Sequence, residues 1–172
     1  MNHIILIGFM GSGKTSVGKQ LAKVMQLPFV DMDELIVQKS GMEITEIFER
    51  YGESHFRELE TECLKELSKD RERKVLSVGG GLPVQSRNQP YLENMGTVIL
   101  LEASVQTLLR RLKYDSSRPM LKGGDLQQKI ETLQEQRKAE YEKVSDVRVV
   151  TDDKGFSQIV DEIRKIVECV KN

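Results

Sequence analysis

The chain has little cysteine, no long apolar run and no excess of charge of either sign. Its two cysteines, Cys63 and Cys169, have no C-x-x-C partner and stand near no histidine cluster. That argues against a thiolate metal site. Both fall on apolar helical stripes, so buried, reduced thiols are expected. The net charge of -1 offers no basic excess for nucleic acid or an anionic membrane. No segment approaches the roughly 18–20 apolar residues that a membrane span needs. The first apolar run is too short for a secretory signal and is broken by glycine. A cytoplasmic protein in a reducing compartment is expected. Repeats, low-complexity tracts and long linkers are also missing, which leaves one domain over residues 1–172.

What is present is an alternation of strand-like runs and helix-like stripes. The runs are "HIILIG" (3–8), "PFVD" (28–31), "KVLSVG" (74–79), "TVILLEA" (97–103) and "DVRVVT" (146–151). They are short and nearly continuous, as in parallel strands covered on both faces. Between them, stripes recur at the helical period. They are Val17, Leu21, Val24 and Met25; Ile44, Ile47, Phe48 and Tyr51; Phe56, Leu59, Cys63 and Leu67; Val105, Leu108, Leu109 and Leu112. A last stripe takes in Phe156, Ile159, Val160, Ile163, Val167 and Val170. The pattern predicts an α/β fold with a mainly parallel five-stranded sheet. Ligands of such folds bind beyond the carboxyl ends of the strands, so the residues after each strand carry the functional reading.

After the first run, Gly8-Phe9-Met10-Gly11-Ser12-Gly13-Lys14-Thr15 matches the P-loop pattern G-x-x-x-x-G-K-[ST], between a strand and a helix. Glycines let the backbone turn its N–H groups around a phosphate, and the helix that follows adds its own free N–H groups. Lys14 supplies a point charge for the outer phosphates, and the Thr15 hydroxyl can hold magnesium. A nucleoside triphosphate, ATP in this reading, is the expected ligand.

The second run ends in Asp31 and Asp33. Two apart on an extended chain, both are expected to face the P-loop, one for magnesium and one to take a proton. The residues alone also allow Asp33 to be the N-cap of the next helix. The third run ends in Gly79, Gly80 and Gly81, without the acid that many P-loop ATPases carry there. That suits a small ligand close to the main chain, or an ordinary turn before Pro83.

Arg57 and Glu60 stand at i and i+3 of one helix, either a supported anion binder or a surface ion pair. Arg137 occupies an apolar position of the stripe Leu126, Ile130, Leu133 and Tyr141. Either it snorkels or the stripe faces a cleft that holds an anion. The polar segment 113–125, with Pro119, Gly123 and Gly124, reads as a mobile lid or a solvated loop. Arg118 within it could reach a transferring phosphate. Arg110 and Arg111 lie off the apolar stripe of their helix, as a base-stacking group or as solvated charge.

"GFMGSGKTSVG", "FVDMDELI", "FRELE", "GGGLP", "RPML" and "RKAEYEKVSD" follow one another between about Ile4 and Thr151. In this order and spacing the chain resembles the shikimate kinase family. The resemblance implies a three-layer P-loop kinase-type fold with strand order 2-3-1-4-5 and a lid. It implies transfer of the γ-phosphoryl group of ATP to the 3-hydroxyl of shikimate, within aromatic amino-acid biosynthesis. By motif, Gly11, Ser12, Gly13, Lys14, Thr15 and Ser16 would hold phosphates, with Arg118 arriving from the lid and Arg110 near adenine. Asp33, Arg57, Gly79, Gly80, Gly81 and Arg137 would bind shikimate, with a substrate-binding region over about 33–62. Lys14, Asp33 and Arg118 would be catalytic, and Thr15 and Asp31 would serve Mg2+. Shikimate and ATP are then the partners of a monomer that binds neither nucleic acid nor membrane. Met120 departs from the usual leucine of the R-P-L-L motif, a volume-conserving change. Base contacts in the variable tail Asp152-Asp153-Lys154 are left unassigned.

Two other readings compete. Another small-molecule P-loop kinase, for gluconate or a nucleoside monophosphate, shares most of these features. A nucleotide switch calls for N-K-x-D after a strand, which "TDDK" does not match.

Overall fold

The computed structural model describes residues 2–115 and 119–169. The opening apolar run forms β1 (His3–Gly8), every residue of which is buried. The P-loop leads into α1 (Lys14–Met25). Then come β2 (Phe29–Asp31), α2 (Met32–Ser40), α3 (Ile44–Leu67) and β3 (Val75–Ser77). The second half holds α4 (Gln89–Met95), β4 (Gly96–Glu102), α5 (Val105–Leu112), α6 (Leu126–Val144), β5 (Val147–Val150) and α7 (Phe156–Cys169).

All five strands pair in parallel, in the order β2-β3-β1-β4-β5. Central β1 sets Ile4 opposite both Val75 and Thr97. Its side chains alternate between two cores, as the pleat requires. Ile5 and Ile7 pack with residues of α2, α3, α4 and α6. Ile4 and Leu6 pack with residues of α1 and α7. The result is three layers with the sheet in the middle. A third cluster joins Phe9 to Leu108, Leu112, Leu121 and Ile130 over the carboxyl ends of the strands.

The expected strands are all found. Helix α4 was not expected. Its seven residues carry only Leu92 and Met95 as a buried apolar pair, too short a stripe to register a period. Several stripe residues also turn outward. On α1 the buried set is Val17, Gly18, Leu21 and Ala22, which leaves Val24 47% exposed. Gly18 takes the buried place because a Cβ there would stand 2.5 Å from the Phe29 ring. Tyr51 is exposed just before Gly52, where φ 81° and ψ 174° kink α3. Phe156 is half exposed at the start of α7, beside Gly13 of the P-loop. Cys63 is buried as expected, but Cys169 is exposed. It lies two residues past buried Val167, about 200° around the helix.

Candidate active site

The carboxyl ends of β1, β2 and β3 bring the motif residues together. In the P-loop, Gly13 is the N-cap of α1 at φ 98°, a left-handed conformation that costs glycine little. Ser12 is buried, while Thr15 and Ser16 open to solvent at the helix start. Lys14 Nζ donates to the carbonyl oxygens of Gly8 (2.9 Å) and Phe9 (3.1 Å). The ammonium is thereby held over the loop.

Asp31 and Asp33 do not act as the extended pair expected of them. The strand ends at Asp31, and Asp33 already lies in the first turn of α2. Asp31, not Asp33, is the N-cap. Its Oδ1 accepts from the backbone N–H groups of Asp33 (3.0 Å) and Glu34 (3.4 Å). Its Oδ2 accepts from the Thr15 hydroxyl at 2.6 Å. Helical geometry swings Asp33 away from this pair, because a helix turns about 100° per residue where a strand alternates. Asp33 joins instead a cavity built on α3, α6 and the glycine run.

That cavity, of about 70 Å³, is lined by Asp33, Arg57, Glu60, Arg137 and Gly79–Gly81, with Phe48 and Met120 among its apolar walls. Arg57 and Glu60 form no surface pair. Arg57 NH1 donates to Glu60 Oε2 at 2.8 Å, with side-chain exposures of 14% and 0%. Arg137 does not snorkel either. It is 5% exposed, and its guanidinium lies 5.5 Å from the Phe9 ring centroid. Its NH1 is buried and makes no hydrogen bond among the described residues. The apolar stripe of α6 is interrupted there because it faces this cleft.

The three glycines are explained by what lies against them. A Cβ on Gly79 would stand 2.5 Å from Glu60 Oε1. On Gly80 it would meet Arg137 NH1 at 3.1 Å, and on Gly81 the Arg57 guanidinium at 2.4 Å. The run keeps open the space in which the two guanidiniums sit.

Electrostatics follow from this burial. Loss of solvent pushes the Glu60 carboxyl up to about 7, with the charge and hydrogen bond of Arg57 pulling the other way. Burial pulls the Arg57 guanidinium down. The charge of Glu60 and the hydrogen bonds that Arg57 donates to Glu60 and Glu53 outweigh it and hold the group above its usual value.

Three features escaped the sequence reading. Tyr141 donates its hydroxyl to the Gly80 carbonyl at 2.6 Å, tying α6 to the glycine run. Phe9, a variable position of the P-loop pattern, lies beside Arg137. Glu53 bonds Arg57, which the i, i+4 spacing on one helix could have signalled. Arg110 is exposed, whereas Arg111 NH1 donates to the Gly11 carbonyl at 3.0 Å. Arg118 lies outside the described residues. From the segment 113–125, Pro119–Leu121 form a 3-10 turn that brings Met120 to the cavity wall. Asp152 accepts from the Ser104 backbone and hydroxyl, which commits it to the β5 end.

A roomier groove of about 520 Å³ runs between the ends of β4 and β5 and α6. It shares Phe9 and Tyr141 with the wall behind Arg137 but is lined by none of the candidate catalytic, substrate-binding or phosphate-binding residues. Charge convergence, not size, marks the smaller cavity as the site.

The family model described as "Shikimate kinase" matches residues 10–168. A shikimate kinase of Sulfurihydrogenibium sp. (strain YO3AOP1) is 45% identical over 163 residues, covering 95% of this chain and 96% of the relative. One from Thermodesulfovibrio yellowstonii is 40% identical over 172 residues, covering 100% and 98%. The solved shikimate kinase from Acinetobacter baumannii in complex with shikimate superposes with a TM-score of 0.95 at 34% identity, covering 99% of this chain and 95% of that one.

Proposed function

The chain belongs to the shikimate kinase family, and from that premise we propose how its residues divide the work. The reaction is transfer of the γ-phosphoryl group of ATP to the 3-hydroxyl of shikimate, giving shikimate 3-phosphate and ADP. One observation carries the assignment of residues. Two guanidiniums, Arg137 buried and Arg57 mostly shielded, converge on one cavity beside the P-loop.

Arg57 and Arg137 take the shikimate carboxylate, which a planar guanidinium grips with two hydrogen bonds. Asp33 binds ring hydroxyls, orients the attacking one and accepts its proton. Gly79, Gly80 and Gly81 let the ring lie against the main chain. Residues Gly11–Ser16 cradle the ATP phosphates, and Lys14 leaves its loop carbonyls to meet them. Arg110 lies toward the base. Arg118 closes on the transferring group from a lid over 113–125, and closure excludes the water that would hydrolyse ATP. Most of the catalysis is then alignment and charge stabilisation.

The Thr15 hydroxyl and Asp31 carboxylate, hydrogen-bonded across 2.6 Å, are both hard oxygen donors and fit Mg2+. When bound, the ion would neutralise phosphate charge. The same proposal treats the chain as one domain over 1–172, acting in the cytoplasm as a monomer without nucleic-acid or membrane partners. Two free cysteines suit a reducing compartment. Among the described residues, no helix is long and apolar enough to cross a membrane.

The test is ADP release from ATP and magnesium, with and without shikimate, using gluconate and nucleoside monophosphates as controls. ADP should appear only with shikimate. A response to a control instead overturns the substrate assignment.

A further inference from the structure

Arg57 is engaged on two sides. NH1 donates to Glu60, while Nε and NH2 both donate to Oε1 of Glu53, at 3.2 and 3.0 Å. The Nε–NH2 edge is one of the forks with which a guanidinium grips a carboxylate. Glu53 therefore occupies a position that the substrate's own carboxylate can use.

The two glutamates are not equivalent. Glu60 is fully buried, whereas the Glu53 side chain is 46% exposed. Glu53 stands at the first residue past the Gly52 kink, at the edge of a cavity of about 390 Å³ that it shares with Ser54, Arg57, Gly81, Gln85 and Arg137. Water can solvate its carboxylate as soon as it lets go.

Charge counting favours release. Among the described residues lining this cavity and the smaller one next to it, the charged groups are Asp33, Glu53, Glu60, Arg57 and Arg137. With all of them ionised, three carboxylates face two guanidiniums, a balance of -1. A carboxylate substrate entering unchanged surroundings would add a fourth anion. Departure of Glu53 restores the balance, and it is the acid that reaches solvent most cheaply.

We propose that Glu53 is a displaceable latch: in the free enzyme its carboxylate fills the Arg57 fork, and the carboxylate of the entering substrate replaces it. This rests on the reading that Arg57 binds that carboxylate. The latch keeps Arg57 aimed into the cavity while the site is empty. Its cost is apparent affinity, because only the unlatched fraction binds.

The experiment is calorimetric titration of nucleotide-free protein with shikimate, for the parent, Glu53→Gln and Arg57→Ala, together with steady-state kinetics. Glu53→Gln should tighten Kd and lower the shikimate KM by about two- to fivefold, the range over which a half-exposed ion pair competes. Its kcat should move by less than about twofold. Glu53→Ala, which removes the side chain beyond Cβ, should shift Kd in the same direction. If Arg57→Ala weakens shikimate binding while both Glu53 variants bind equally or less tightly than the parent, the latch is wrong. If Arg57→Ala leaves binding unchanged, the reading beneath it fails instead.

Discussion

Arg57 donates from NH1 to Oε2 of Glu60 across 2.8 Å, and the Glu60 side chain is 0% exposed. The candidate substrate cation thus rests on an acid that water does not reach. Burial, opposed by Arg57, raises that carboxyl from 4.5 to about 7.

This shift has a sign in stability. The folded protein binds the Glu60 proton more tightly than the unfolded chain. The contribution of this group is therefore greatest below pH 4.5, falls through the window up to about 7, and is level above it. Glu60→Gln removes the ionisation. Its melting temperature relative to the parent should rise between pH about 5.5 and about 8, by an amount on the order of 5 °C. Thermal melts across that range check it. A pH-independent difference would mean that Glu60 titrates normally.

Arg57→Ala should raise the shikimate KM by about 10²-fold, the size expected for a lost charge-assisted pair in a shielded site. The KM for ATP should stay within about threefold, because among the described residues the hydrogen bonds of Arg57 go to Glu53 and Glu60 and not to P-loop groups. Steady-state kinetics with each substrate varied in turn separates the two effects. An equal rise in both would refute this division of labour.

Gly81→Ala places a methyl group 2.4 Å from the Arg57 guanidinium. The arginine must shift, so shikimate binding should weaken by roughly tenfold or more. Binding of ATP in the absence of shikimate should hold, as should the melting temperature to within a few degrees. Titration of each ligand separately provides the check. Unaltered shikimate affinity would show that Arg57 works from another position.

Lys14→Ala should lower kcat by about 10²- to 10⁴-fold, since it removes a fixed cation from the developing phosphoryl charge. The fold should persist, because the lysine donates to the Gly8 and Phe9 carbonyls of its own loop and lies outside the three apolar cores. ADP release and circular dichroism together test this. Near-parental turnover would remove Lys14 from the mechanism.

By itself the sequence determined what depends on residues close together along the chain. The P-loop is eight consecutive positions whose backbone makes the anion site, so its chemistry was legible at once. Strand and helix order followed from periodicity, and the motif series pointed to the family and its strand order. Arg137 stood out because one cation interrupted an apolar stripe, although the stripe could not say whether it snorkelled. Tertiary structure decided the rest. Burial of Glu60 depends on the glycine run crossing over it, about twenty residues away in the chain. Asp31 and Asp33 part company only because the strand stops at the first and a helix begins before the second. Cys169 and Phe156 lie on or beside an apolar stripe yet meet no core, since a period says which residues share a face and not how far the covering layer extends. Glu53 shows the same limit. Spacing put it within reach of Arg57, but the kink at Gly52 and the open cavity leave its side chain half in water.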